Sequence, residues 1–126
     1  MNIIISNSND QPIYKQVKDQ IKNAIITNEL KPGDKLPSIR LLAKDLNISV
    51  ITTKAAYEEL ETDGYVETIP AKGTYVSNKN ADLIKEEQLQ NIEYLINTAI
   101  DIAKISQINK KELNNIIDIL WEDENE

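Results

Sequence analysis

The side chains best suited to chemistry in this sequence are hydroxyl and basic groups clustered in the first half of the chain. Ser38 and Arg40 flank the first residue of one apolar repeat, and Ser49, Thr52 and Lys54 surround the start of the next. Hydroxyl groups and basic side chains near a helix N-terminus bind phosphate, and the same groups can contact the base edges of DNA. This pattern predicts binding of a nucleic acid rather than a covalent reaction.

The composition argues against an enzyme. The 126 residues include no histidine and no cysteine, which removes the commonest general base, the thiol nucleophile and two common metal ligands. No pair of nucleophile and base is evident in what remains. We therefore expect no catalytic residue, no bound metal and no cofactor.

Two short amphipathic helices around a tight turn must position these groups. Ser38 and Ser49 are predicted N-caps, Asn47 is predicted to take the left-handed conformation between the helices, and Gly64 is predicted to end the second helix. Apolar residues recur at spacings of three and four, which indicates one buried stripe on each helix. The predicted core positions are Ile39, Leu42, Ala43 and Leu46, then Thr53, Ala56, Tyr57 and Leu60.

Charge is distributed unevenly along the second helix. No acidic residue lies between Asp45 and Glu58, whereas four acids crowd the C-terminal end and oppose the helix dipole there. Keeping negative charge off the N-terminal half suits an approach to phosphates. An ordinary two-helix packing unit with a solvated, charged end is the alternative interpretation. The four acids are Glu58, Glu59, Glu61 and Asp63.

Other elements are expected to support this pair. A helical stripe starting near Gln11 predicts a helix packed behind it, with Gln16 on the surface, and residues 1–10 are expected to be a loosely held lead-in. Lys35 and Leu36 can add a short strand. An alternating run after Gly64, a turn and a returning run at residues 74–76 predict a β-hairpin.

Four stretches, in this order, resemble the winged helix-turn-helix domain of GntR-type bacterial transcription regulators: PGDKLPS, the paired helices of LPSIRLLAKDLNISVITTKAAYEEL, ELETDGY and KGTYV. The resemblance covers residues 11 to 77 and implies a mainly α fold with a small β-hairpin wing. The C-terminal remainder is similar to the YtrA-like subgroup, in which a short helical dimerisation segment replaces a large ligand-binding domain.

The resemblance implies contacts with double-stranded DNA. Basic side chains on both helices and on the wing are expected to touch phosphates or base edges, and hydroxyl groups to lie near the DNA backbone. A glycine at the wing tip lets the backbone approach closely, although a plain hairpin that closes the domain is the alternative interpretation. The expected contacts are Arg40, Lys54 and Lys72, the hydroxyls of Ser38, Ser49 and Thr52, and Gly73.

The sequence departs from the family on the reading helix. Val50 stands where many members have arginine, and Ile51 stands where a polar residue is common. Apolar side chains on a reading surface suit thymine methyl groups in the major groove. The departure therefore predicts an A·T-rich operator, and the alternative is that both side chains pack partly inward and discriminate little.

The chain is expected to divide into a DNA-binding domain, residues 1–78, and a two-helix dimerisation segment with an acidic tail, residues 79–126. A hairpin of this size buries too little apolar area to be stable alone. A homodimer would cover its broad apolar faces and present two reading helices to an inverted repeat; packing back onto the winged helix is the alternative. The expected contacts are Ile92, Leu95, Ile96, Ala99, Leu113, Ile116, Ile117, Leu120 and Trp121.

The net charge of −7 is opposite to that of most DNA-binding proteins, but its distribution matters more than its sum. Residues 1–79 carry nine lysines and one arginine against ten acids, so the whole excess lies in residues 80–126. A remote acidic segment is screened over a Debye length of about 8 Å. The sequence has no signal peptide and no membrane-spanning run, which predicts a cytoplasmic protein without a membrane partner.

The leading hypothesis is a homodimeric, sequence-specific transcription regulator, most consistent with a repressor. The YtrA-like resemblance implies an operon of transporter genes. A winged helix used only for protein–protein contact is the competing hypothesis. Any small-molecule effector is unknown. Tyr94 and Trp121 are candidate lining for an apolar cavity between the dimer helices, and a place in the plain dimer core is the favoured alternative.

Overall fold

The structure is a computed structural model that describes residues 1–8, 10–78 and 81–123. Residues 79 and 80, at which the expected dimerisation segment begins, and the last three residues of the acidic tail lie outside these ranges. The described chain forms a mainly α fold with one antiparallel hairpin, which confirms the predicted fold class. The elements are α1 (Ile13–Ile26), α2 (Ile39–Leu46), α3 (Val50–Thr62), β1 (Val66–Ile69), β2 (Gly73–Val76), α4 (Ala81–Ile105) and α5 (Lys110–Asp123).

The chain forms two compact units, Met1–Ile84 and Lys85–Glu126. The first includes the start of α4, because Ile84 is buried in its core. The expected boundary at residues 78 and 79 lies just before α4, six residues earlier than the division between the units.

The core of the first unit lies between α1, α3 and the hairpin. The predicted inner stripe of α3 is confirmed, since none of its four side chains is more than 4% exposed. On α2 the two central positions, Leu42 and Ala43, are buried, and Ile39 and Leu46 are partly buried. The most completely buried side chains in the described residues are Ile21, Leu36, Leu60, Val17, Val66, Val76 and Thr53.

The turn between α2 and α3 has the predicted local chemistry. Ser38 Oγ accepts a hydrogen bond from the backbone N–H of Leu41 at 3.1 Å, which caps α2. Asn47 has φ 57° and ψ 46°, the left-handed conformation that ends a helix abruptly. Ser49 caps α3, and Gly64 follows α3 with φ 82°.

The wing is a hairpin of two four-residue strands, and a short segment before α2 pairs with its second strand. Strands β1 and β2 pair antiparallel, with Val66 opposite Val76 and Ile69 opposite Gly73. The expected short strand at Lys35 and Leu36 is present as a single bridge to Tyr75, and Leu36 N–H donates to the Thr74 carbonyl at 2.9 Å. This bridge anchors the wing to the segment that leads into α2.

The N-terminal segment is bound to α1, so the expectation of a loose lead-in is wrong. Gln20 Oε1 accepts from Ile4 N–H at 2.9 Å and its amide donates to the Ile4 carbonyl at 2.8 Å. Gln16 makes the same pair of bonds to Ser6, at 2.9 and 3.0 Å. Gln16 is 5% exposed, which corrects its predicted surface position. The two amides satisfy the backbone of alternate residues, as a neighbouring strand would.

The second unit contains most of α4 and all of α5. The turn between them places Gln107 at φ 60°, and Ile108 N–H donates to the Ala103 carbonyl at 2.8 Å. The Asn109 side chain accepts from Glu112 N–H at 2.9 Å and so caps the N-terminus of α5. Most large apolar side chains of this unit are exposed, and Ala103 is its one buried apolar residue among those that the structure describes.

Candidate nucleic-acid interface

The first turn of α3 presents apolar side chains to the outside. Val50 is 47% exposed and Ile51 is 81% exposed, whereas Thr53 on the opposite side is fully buried. Inward packing of Ile51 is therefore ruled out, and Val50 is half-exposed. A helix end with uncovered apolar groups and no acidic residue suits contact with base edges and methyl groups.

The hydroxyl groups of Ser49 and Thr52 make different hydrogen bonds. Ser49 Oγ accepts from Thr52 N–H at 3.0 Å and donates to Thr52 Oγ1 at 2.7 Å. The Ser49 hydroxyl is thus used as both acceptor and donor within the protein. Thr52 Oγ1 accepts from Ser49, which leaves its own hydroxyl hydrogen for an external acceptor. Thr52 is consequently the better phosphate donor of the two.

The start of α2 is held by α3. The Tyr57 hydroxyl donates to the Pro37 carbonyl at 2.7 Å, and burial raises the pKa of this phenol far above its usual value, so it stays a donor. Next to Pro37, Ser38 Oγ accepts from the helix, so its hydroxyl hydrogen can point outward. Arg40 is exposed in the first turn of α2. Both groups are therefore available to a phosphate.

Two lysines lie at the wing tip, one in its turn and one on the segment before α2. Lys72 is exposed in the turn, and Gly73 has φ 130°, a conformation that side chains rarely adopt. A Cβ on Gly73 would lie 3.0 Å from Lys35 Cε, so the Lys35 side chain runs along the bare glycine. The Lys35 ammonium lies 5.9 Å from the centre of the Tyr75 ring. Lys35 therefore adds positive charge beside Lys72.

The acids at the C-terminal end of α3 are bound to other groups. Lys18 Nζ on α1 lies 3.0 Å from carboxylate oxygens of both Glu59 and Asp63. Burial alone would lower the pKa of Lys18, but its hydrogen bonds to the two carboxylates raise it above the usual value. Glu61 Oε2 accepts from the Thr68 hydroxyl at 2.6 Å. These contacts offset the unfavourable interaction of the acids with the negative, C-terminal end of the α3 helix dipole.

A cleft of about 690 Å³ separates α3 from the wing. Its lining includes Lys54 and Glu58 from α3 and Thr68 and Thr74 from the two strands. The exposed face of α3 and the wing therefore form the two walls of one groove. In winged-helix complexes the recognition helix enters the major groove beside the backbone that such a wing contacts.

Two kinds of site are missing from the part of the chain that the structure describes. No group of three or more acidic side chains is arranged to hold a metal ion there. None of the helices in those ranges has the length and apolar character needed to cross a lipid bilayer.

Comparison with known proteins gives the family. The sequence pattern of "Bacterial regulatory proteins, gntR family" matches residues 13–76, from the start of α1 to the end of β2. The chain belongs to the GntR family. Its winged helix-turn-helix is thus a DNA-binding element of a transcription regulator, and members of this family are regulators rather than enzymes.

Individual relatives agree with this assignment. The GntR-family chain is 34% identical over 103 residues to the HTH-type transcriptional repressor YtrA of Bacillus subtilis (strain 168), covering 82% of this chain and 79% of YtrA. A solved transcriptional regulator from Oenococcus oeni superposes with a TM-score of 0.73 at 28% identity, covering 93% and 97% of the two chains. The AraR DNA-binding domain, solved in complex with operator ORE1, gives a TM-score of 0.52 at 25% identity, covering 61% of this chain and 94% of that one.

Sequence reasoning missed three residues on this surface of the GntR-family regulator. The sequence predicts a short strand at Lys35 but not its place at the wing tip, because its contact with Gly73 depends on the single bridge between Lys35 and Tyr75. Leu41 is 51% exposed beside the α2 cap, outside the predicted apolar stripe. Glu58 lies on the exposed face of α3, 3.8 Å from Lys54. Its spacing of four residues from Lys54 was the available signal.

Proposed function

We propose that this GntR-family regulator is a homodimeric repressor that binds an inverted-repeat operator. The observation that carries this proposal is the N-terminal turn of α3, which is capped by Ser49, exposed at Val50 and Ile51, and free of acidic residues. In this proposal residues 1–78 bind DNA and residues 79–126 dimerise. Its place of action is the cytoplasm, where bacterial operator DNA lies.

The proposed contacts divide into reading and positioning. Val50 and Ile51 enter the major groove, and Lys54 reaches a phosphate or a purine edge. Ser38, Arg40 and Thr52 donate to phosphates near the two helix N-termini, where the helix dipoles favour negative charge. Lys72 contacts the backbone or minor groove from the wing, with Gly73 allowing close approach. Ser49 supports the surface as the α3 cap.

The exposed pair Val50 and Ile51 makes an A·T-rich operator the expected target. Thymine presents a methyl group in the major groove, and an apolar side chain gains free energy by covering it. Neither side chain has an N–H group, so neither can make the two-donor contact with guanine that arginine makes.

The proposed dimer is supported by the apolar surface of the second unit. Seven of its nine expected contact residues have exposed fractions from 44% to 74%, and Ala99 and Leu113 are partly buried. An apolar surface of this kind is rarely left open to water in a monomer. A second copy related by two-fold symmetry would cover it and would set two α3 helices about 34 Å apart.

A concave apolar region between α4 and α5 is the one candidate effector site that we identify in the second unit. It has a volume of about 390 Å³, and its lining includes Ile96, Leu113 and Ile117. Tyr94 and Trp121 lie outside this lining, and their expected place in a cavity between the helices of two copies stays a prediction. Three of the expected dimer contacts are part of its lining, so we assign this region to the proposed dimer interface. The effector stays unknown.

The proposal about the regulated genes rests only on similarity to the YtrA-like subgroup. YtrA of Bacillus subtilis is named as a repressor, which supports repression here. The YtrA-like resemblance supports an operon of transporter genes.

The decisive experiment is selection of bound duplexes from a random library with the purified full chain, followed by a mobility shift. We expect an A·T-rich inverted repeat and a discrete band that a scrambled duplex does not compete away. Selection of G·C-rich half-sites would contradict the role of Val50 and Ile51. Equal binding of selected and scrambled duplexes would instead favour a winged helix that contacts only proteins.

A further inference from the structure

Glu58 has an unusual position among the acids of α3. Residues Ile51 and Glu58 are seven apart, so they lie two turns apart on nearly the same side of the helix, opposite the buried stripe. Glu59 and Asp63 face Lys18, and Glu61 binds Thr68. Glu58 is thus the acid that shares the exposed reading face with Ile51.

Glu58 pairs with Lys54, the basic residue of the reading helix. Lys54 Nζ lies 3.8 Å from Glu58 Oε1, and the two side chains are 63% and 65% exposed. The distance is too long for a strong hydrogen bond, and lysine preceding glutamate is the weaker order for such a pair on a helix. The contact is therefore easily exchanged, and both groups face the cleft between α3 and the wing.

We propose that Glu58 is a specificity-determining residue that acts by positioning Lys54. The carboxylate attracts the ammonium toward the groove-facing side of α3, and this weak attraction must be broken before Lys54 moves to a phosphate. An ammonium has three N–H donors, so Lys54 can contact a purine edge in the operator while it stays near Glu58. On non-specific DNA, Lys54 gains only by reaching a phosphate, which breaks the pair and leaves Glu58 facing the negatively charged backbone.

This inference rests on the proposed function, because it requires a specific operator. The experiment is fluorescence anisotropy with the selected operator and a scrambled duplex at several salt concentrations. The proteins are the full chain and its E58Q, K54Q and K54Q/E58Q variants. The matched control is E93Q, which removes one acid from an exposed position of α4 in the second unit and changes the net charge by the same amount.

For E58Q we expect tighter binding to the scrambled duplex, by about threefold, the scale of one exposed ion pair. We expect a smaller change on the operator, so the specificity ratio falls. The salt slope on scrambled DNA should steepen by about 0.9, the value for one added phosphate contact. In the K54Q background these effects should vanish, and E93Q should leave the specificity ratio and salt slopes unchanged.

Three results would overturn the role of Glu58. An equal gain on both duplexes that persists without Lys54 would show a general charge effect. A selective loss of operator binding would show that Glu58 itself contacts a base, such as a cytosine amino group. An unchanged specificity ratio would show that Glu58 has no part in recognition. If the unaltered protein shows no preference for the operator, the proposed function fails, which is a separate outcome.

Discussion

At the scale of single residues, the hydrogen-bond directions on the reading surface separate structural from DNA-binding roles. Ser49 and Thr52 look interchangeable in the sequence, since both are small hydroxyl residues at the start of a helix. The Ser49 hydroxyl both donates and accepts a hydrogen bond within the protein, whereas the Thr52 hydroxyl can still donate its hydrogen to DNA. Removing each hydroxyl should therefore have a different effect.

We expect Ser49→Ala to lower the free energy of unfolding by about 1 kcal/mol, because it removes the α3 cap. Thr52→Val keeps the shape and the backbone contact, so we expect it to leave the urea midpoint nearly unchanged and to weaken operator binding severalfold. Urea denaturation and anisotropy on the same samples measure both quantities. Equal loss of stability in the two variants would contradict the assignment.

The lysine at the wing tip offers a second residue-scale expectation. Lys72→Gln should weaken binding to operator and scrambled duplexes alike and should reduce the salt slope by about 0.9, as expected for one lost phosphate contact. Lys15→Gln, at an exposed position of α1, provides a control with the same change in charge. A selective loss on the operator would mean that Lys72 reads sequence.

At the scale of elements, α3 is stabilised by its contact with α1 through Lys18. Its four C-terminal acids would be unfavourable in an isolated helix, because they oppose the dipole. Lys18 compensates two of them at 3.0 Å, and its own side chain is 18% exposed. This contact lies far along α3 from the reading turn, so it affects the helix without touching DNA.

We expect Lys18→Gln to lower the free energy of unfolding by about 1 kcal/mol, a value reduced because the two carboxylates are nearly half exposed. The folded state raises the pKa of Lys18, so this contribution is complete below the pKa of lysine in the unfolded chain, about 10.4. It is lost as the pH rises through the higher pKa of the folded state. Urea denaturation from pH 7 to 11 should show the difference from the unaltered protein shrinking only at the alkaline end. A stability difference between the two proteins that shrinks below pH 9 would contradict this role of Lys18.

The elements that local chemistry defines were predictable from the sequence. Ser38, Asn47 and Ser49 have short-range roles that depend on neighbours within four residues, and all three are confirmed. The bound N-terminal segment was not predictable, because Gln16 and Gln20 recognise backbone atoms 10 and 16 residues away and an amide carries no pattern for that. Lys18 was missed for the same reason, since its partners lie 41 or more residues along the chain.

At the scale of the whole molecule, the proposed dimer rests on the exposed apolar side chains of the second unit. Residues Ile117 and Ile119 allow a matched comparison on α5, because they are 45% and 53% exposed and lie on different sides of the helix. Ile117 lines the apolar region between α4 and α5, and Ile119 does not.

We expect Ile117→Asp to convert the protein to single chains at micromolar concentration and to weaken operator binding at least tenfold, because a charge would be buried in the interface. Ile119→Asp should remain a dimer. Sedimentation velocity measures the assembly and anisotropy measures the binding. Single chains in the unaltered protein, or equal effects of the two substitutions, would contradict the proposed interface.

The uneven charge along α2 and α3 also has an electrical consequence for the approach to DNA. Residues 1–79 sum to zero charge, with cations around the starts of α2 and α3 and acids gathered at the far end of α3. A neutral body with separated charges is turned by an electric field more than it is pulled. The phosphate field should therefore act on these residues chiefly as a torque that orients the reading turn before contact.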